Sequence, residues 1–362
     1  MSDIGIIYDF LLLFLSFAIS FALYPFWISF VYKYQLGEVS RVHESKQGTP
    51  TMGGFVFVLT IALVTILFNN SRTQTLLPLF IATTTGLLGL WEDLLKVFYK
   101  SGLANVFDSK KIRNPFLRFF NKVTIPLFIT LPWRFFREFS RVVGSSAGTG
   151  IETYKKFVIQ GMIAGFMAYW TYFKLGWDYI WFPLVGNIHF SYLYPVIIFL
   201  FFIVVLNSVA FTDGLDGLAG GLGIIAFLAF WVIARMLGYN MIAAFCSSFV
   251  GVLLPFLYFN VFPARVFMGN VGSHVLGAVL ASLAVLMHRE VAFLFIGAVF
   301  LVDGISSPLQ QISVKLTHKR LFRMAPLHHH FEKLEWPESK VTMRMWLFGA
   351  FFAFIGIFLA LL

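Results

Sequence analysis

Asn207-Ser208-Val209-Ala210-Phe211-Thr212-Asp213-Gly214-Leu215-Asp216-Gly217-Leu218-Ala219-Gly220-Gly221 sets two carboxylates three residues apart, each followed by glycine, between two long apolar runs. Glycine after each acid tolerates positive φ and lets the backbone come close to a bulky ligand. Acids at the edge of an apolar span are costly to keep and mark functional sites. The helix predicted from Leu218 onward would aim its first N–H groups and positive dipole end at the same place, a natural seat for phosphate. A plain solvated loop is the bland alternative, but it would not need an apolar helix on each side.

The flanking runs belong to a pattern that fills the chain. Of 362 residues, 59% are hydrophobic and 12% charged, with 46 phenylalanines. That is about half the charged share of a soluble domain. A single cysteine, Cys246, lies in an apolar run, which excludes an intramolecular disulfide and a cysteine metal cluster. The first apolar run has no basic leader or cleavage site, so it reads as a retained span. A membrane-crossing helix needs about 20 apolar residues. Ten segments qualify, at roughly 9–32, 52–69, 76–98, 157–175, 193–211, 218–237, 241–258, 268–287, 291–309 and 342–361. The expected fold is therefore an all-α, polytopic membrane bundle of about ten transmembrane helices, one integral-membrane domain over residues 1–362.

Orientation follows from the basic residues. With the N-terminus outside, segments 33–51, 96–156, 207–217, 259–267 and 310–344 face inward and carry 23 of the 27 lysines and arginines. Only Arg72, Lys174, Arg235 and Arg289 remain outside. The positive-inside rule then predicts both termini on the periplasmic side. The acids agree independently: Glu92, Asp93, Asp213, Asp216 and Asp303 all fall at the inner level, as do Asn207, Asn260, Asn270 and His328 to His330. A loop of about 100–156 is large for a connection. Its middle mixes phenylalanines with Arg118, Lys122, Arg134, Arg137 and Arg141, which suits either an amphipathic element on an anionic bilayer or a loop packed on the inner face.

Other motifs carry chemistry of the same kind. Glu92-Asp93, with Lys96 one turn on, is either a solvated ion pair at a helix end or a paired carboxylate suited to a divalent metal or proton abstraction. Phe267-Met268-Gly269-Asn270 opens the eighth span, where Phe267 is either a base-stacking ring or an interfacial aromatic. Lys46 to Gly54 joins a lysine to a glycine-rich turn, without the spacing of a P-loop. Successive side chains diverge, so His328, His329 and His330 suit separate hydrogen bonds to phosphate or sugar oxygens better than one three-histidine metal site.

Taken together, the blocks Lys46–Gly54, Glu92–Lys96, Asn207–Ala219, Tyr258–Gly277 and Phe322–Trp336 resemble the phospho-N-acetylmuramoyl-pentapeptide transferase family, within the polyprenyl-phosphate N-acetylhexosamine-1-phosphate transferases. The run KLTHKRLFRMAPLHHHFEK is the most specific of them. The resemblance implies a bacterial inner-membrane enzyme whose active site faces the cytoplasm. It would join UDP-N-acetylmuramoyl-pentapeptide to undecaprenyl phosphate with Mg²⁺, releasing UMP and forming lipid I for peptidoglycan. It implies Asp93 as base or lipid-phosphate contact, alongside Glu92, Lys96, Asp213, Asp216 and His329 in the catalytic set. Lys46, Lys156, Asn207, Gly214, Leu215, Asn260, Phe267, His328 and His330 would contact substrate, and Asp213, Asp216 and Asn270 the metal. The family pattern has aspartate where this chain has Glu92 and Asn270, a second asparagine at Ala210 and a histidine at Phe262. No nucleic-acid partner is expected; membrane lipid is, and oligomeric state stays open, a homodimer among the options. A relative using UDP-N-acetylglucosamine, a homologue that binds without turnover, and a transporter are the competing readings. The transporter fits least, because its site would lie at mid-membrane.

Overall fold

The computed structural model describes residues 3–34, 48–100 and 153–362. Lys46 and most of the enlarged loop lie outside these residues, as does the side chain of Lys96. Among the described residues, twelve α-helices run in the order α1 Asp3–Lys33, α2 Gly54–Phe68, α3 Leu76–Lys100, α4 Thr153–Tyr169, α5 Tyr194–Thr212, α6 Leu218–Met236, α7 Asn240–Asn260, α8 Gly269–Leu286, α9 Glu290–Ile296, α10 Ala298–Thr317, α11 Leu327–Glu332 and α12 Glu338–Leu361. Of these, α1, α5, α6, α7, α8 and α12 are long and apolar enough to cross a membrane, and the bent pair α9–α10 would make a seventh. Each of the ten expected segments holds a helix, with α2, α3 and α4 matching 52–69, 76–98 and 157–175.

The core is built around α8, buried from Val271 to Leu286 and packed mainly against α3 and α5. Small residues make such packing possible, because in lipid helix association depends on close van der Waals contact. A Cβ on Gly54 would come within 2.3 Å of the Gly272 backbone, so α2 and α8 can cross only with glycine on both sides. α1 and α12 lie at the rim and bury only one face; Phe10, Phe14, Phe26, Leu347, Phe351 and Phe354 point outward. A ring of outward phenylalanine and leucine is what a lipid-facing surface requires.

Two expectations need correction. The ninth span is not continuous over 291–309: it bends by 83° between α9 and α10. Gly297 leaves helical geometry (φ −93°, ψ 13°), and a Cβ there would meet the Phe293 ring at 2.6 Å. Nor is the fold purely helical. β1 Tyr179–Phe182 and β2 Gly186–His189 form an antiparallel hairpin between α4 and α5, pairing Tyr179 with His189 and Phe182 with Gly186. Tyr-Ile-Trp-Phe is a strong strand former, and Gly186 sits at φ 88° at its turn.

Candidate active site

The Asn207–Gly221 stretch is the turn between α5 and α6. α5 stops at Asp213, and Gly217 at φ 77° starts α6 in a left-handed conformation that glycine adopts freely. Contacts from neighbouring segments hold the turn, among them a bond from the Thr342 hydroxyl to the Asp216 carbonyl at 3.3 Å. The Asp216 carboxylate accepts from the Ala264 backbone N–H at 3.0 Å, and its own N–H donates to Glu338 on α12 at 2.6 Å. Asn260, at the end of α7, accepts from Gly217 N–H at 3.1 Å and donates to the Val266 carbonyl at 2.8 Å. Asn260 is thus a clamp between the acidic turn and segment 261–268.

That segment leads to a second cluster. The Phe267 N–H donates to the Pro50 carbonyl at 2.8 Å, and its carbonyl accepts from Gly53, tying the glycine-rich turn before α2 to the start of α8. On α8, the Asn270 amide donates to Asp93 at 2.8 Å and the Val271 N–H to the other Asp93 oxygen at 3.2 Å. Asp93 on α3 therefore docks at the N-terminus of α8, where N–H groups lack helical partners and the dipole favours an anion. Glu92, its neighbour, forms a buried ion pair with Lys156 of α4 at 3.1 Å, so this acid is not a solvated helix end. Asn207 donates to Gln160 at 3.2 Å, joining α5 to α4.

The histidine run forms α11, and its three side chains do diverge. His328 donates its backbone N–H and its Nδ1–H to the two oxygens of Asp303, both at 2.8 Å, and both side chains are 0% exposed. Its Nε2 is buried without a hydrogen-bond partner and faces the acidic turn: a Cβ on Gly214 would stand 2.4 Å from it. His329 donates to Glu332 at 2.5 Å, whereas His330 accepts from the Arg323 N–H at 3.0 Å.

One end of the bundle therefore gathers Glu92, Asp93, Lys156, Asn207, Gly214, Leu215, Asp216, Asn260, Phe267, Asn270 and His328. Asp213 is half-buried on the same turn. Among the described residues, no three histidine, cysteine, aspartate or glutamate side chains stand close enough to hold a metal ion. Asn270 donates its amide to Asp93, a carboxylate outside the Asp213–Asp216 turn. Mg²⁺ commonly takes one or two carboxylates and completes its shell with substrate phosphates and water. The Asp213–Asp216 turn fits that smaller set. Sequence reasoning missed Gln160 and Glu338 altogether; Gln160 lies four residues after Lys156 on one face of α4, which was a usable signal.

Residues 148–288 match the family model described as Glycosyl transferase family 4, and residues 46–58 match Phospho-N-acetylmuramoyl-pentapeptide-transferase signature 1. The chain is 35% identical over 359 residues to the phospho-N-acetylmuramoyl-pentapeptide-transferase of Geobacillus sp. (strain WCH70), covering 95% of each. It belongs to the phospho-N-acetylmuramoyl-pentapeptide-transferase family. The member from Shouchella clausii is 34% identical over 356 residues, 96% of each chain, and that from Levilactobacillus brevis 33% over 326 residues, 88% of this chain and 86% of its own.

Proposed function

We propose that the protein transfers phospho-N-acetylmuramoyl-pentapeptide from its UDP-linked donor to undecaprenyl phosphate, giving lipid I and UMP. Whole-length identity to transferases of that name, together with buried acids and amides gathered at one end of an apolar bundle, supports this reading. In this proposal the chain crosses the bacterial inner membrane ten times, both termini are periplasmic, and the polar end faces the cytoplasm, following the basic-residue count.

Phosphoryl transfer is catalysed mostly by positioning and by neutralising charge. The 213–217 turn, clamped by Asn260, would seat the uridine and diphosphate of the donor, with Phe267 against the base and the first N–H groups of α6 toward phosphate. Mg²⁺, when bound, would supply neutralising charge to the diphosphate, with Asp213 and Asp216 as its protein ligands. Asp93, oriented by Asn270 and Val271, would take the remaining proton of the lipid phosphate. An oxygen of that phosphate then forms a bond to the sugar-linked phosphorus, and the bond to UMP breaks. Lys156 and Lys96 would offset the negative charge gathered there, and His328 to His330 would line the donor side.

The test is turnover by the purified full-length protein, with undecaprenyl phosphate as acceptor and either UDP-N-acetylmuramoyl-pentapeptide or UDP-N-acetylglucosamine as donor. UMP release with the muramoyl donor, abolished by chelation of Mg²⁺, is the expected result. Turnover of the glucosamine donor alone would overturn the assignment.

A further inference from the structure

α6 and α8 both start in the acidic site and run away from it for 19 and 18 residues. At 1.5 Å per residue their far ends lie about 27 Å off. There, a cavity of about 220 Å³ opens between the hairpin and these helix ends, lined by Tyr179, Trp181, Asn187, Tyr239, His288 and Arg289 among others. Its polar groups are mostly hydrogen-bond donors. Arg289 is held in place: its guanidinium stacks on Trp181 at 3.8 Å, Nε donates to the Ala360 carbonyl at 2.7 Å, and Nη1 donates to the His288 carbonyl at 2.9 Å. Those bonds use two of five N–H donors.

His288, nine-tenths buried, pairs Nε2 with the Tyr179 hydroxyl at 3.3 Å, while its Nδ1 has no hydrogen-bond partner among the described residues. The acids nearby do not line the cavity: Glu290 is buried, and Asp178 pairs with His189 at 2.8 Å beside the hairpin. A fixed cation with phenolic and amide donors, walled by aromatic rings, forms a receptor for anionic oxygens. An arginine fork matches phosphate geometry in particular.

We propose that this cavity is a second ligand site, for a phosphate group carried by an anionic lipid headgroup. It has room for a phosphate with a small alcohol attached, not for a nucleotide-sugar. A lipid source is favoured by the rim, where Leu184, Val185, Tyr192 and Leu193 are exposed beside the hairpin, the composition of a membrane interface anchor. Basic pockets between membrane helices take headgroups in the same way.

The test uses purified full-length protein in detergent, with phosphatidylglycerol or phosphatidylcholine retention read by native mass spectrometry and inorganic phosphate binding read by calorimetry. Arg289→Gln and Asn187→Ala are compared with wild type, and UMP release and gel filtration report folding. Preferential retention of phosphatidylglycerol, weakened about tenfold by Arg289→Gln and less by Asn187→Ala, supports the lipid site; tenfold corresponds to about 1.4 kcal/mol. Binding of inorganic phosphate alone, with the same sensitivity to Arg289→Gln, supports a phosphate site but overturns the lipid source. Binding of neither probe, or equal binding by wild type and both variants, overturns the proposal. Because the acids of the transfer site lie across the bundle, UMP release should be unchanged in both variants, so failure here and failure of the transferase assignment are separate results.

Discussion

His328 and Asp303 show what a single pair adds to the site. Asp303 receives both the backbone and ring N–H of His328, which fixes a proton on Nδ1 and turns Nε2 toward Gly214. Asp303→Asn would keep the backbone contact through its amide oxygen but offer N–H to Nδ1, reversing the tautomer. Turnover should fall by about 10–100-fold, the kinetic equivalent of one charged hydrogen bond of roughly 1.5–3 kcal/mol. Nitrogen-15 shifts of the His328 ring should report the reversed tautomer, which a purely structural defect would not produce; wild-type rate with an unchanged tautomer would refute the role. Gly214→Ala should be comparably damaging, since its methyl would press on His328 Nε2. The histidine run and the acidic turn were each legible in the sequence. Their meeting was not: Asp303 stood out only as one more acid at the same depth, because a partner 25 residues away is selected by how α10 and α11 pack.

At the level of elements, buried charge decides how the rim is attached. Arg235 reads in the sequence as an outer-facing basic residue, yet it is buried at the end of α6. It grips Asp9 of α1 with Nε at 2.5 Å and a second contact from Nη2, and Trp231 donates to the same carboxylate at 2.7 Å. Ser247 of α7 adds a bond to the Asp9 carbonyl at 2.9 Å. This latch fastens a helix that otherwise exposes most of its surface. Breaking a buried pair leaves one charge uncompensated, so Asp9→Leu should cost about 3–5 kcal/mol, while adding Arg235→Met should recover most of it. Thermal unfolding in detergent measures both; equal destabilisation by the single and double variants would refute the latch. The bent α9–α10 pair and the hairpin were hidden in the sequence for a related reason. A run of apolar residues has no sign that Phe293 will pack under Gly297, and four strand-forming residues do not reveal that they end above the helix termini.

For the whole molecule, the two ends of the bundle differ in chemistry, and pH should separate them. Burial, and next the neighbouring Arg289, lower the His288 pKa from 6.5 to about 4. A group whose folded pKa is depressed binds its proton more readily when unfolded. His288 therefore contributes stability that is present above pH 6.5, declines as pH falls through that window, and flattens below about pH 4. Subtracting the unfolding profile of His288→Asn from that of wild type should isolate this slope, and a flat difference between pH 6.5 and 4 would contradict it.

By itself the sequence determined that the chain is a bundle of long apolar helices, which segments are helical, and which family it resembles. Those properties follow from local hydropathy, charge placement and turn residues, each readable within a few positions. Only the tertiary structure decided that Asp93 docks on the start of α8, that Glu92 pairs with Lys156, that Asn260 clamps the acidic turn, and that a cationic cavity closes the far end. Each of those facts joins residues tens to hundreds of positions apart, and such a distance is closed only by helix packing, which no local pattern records.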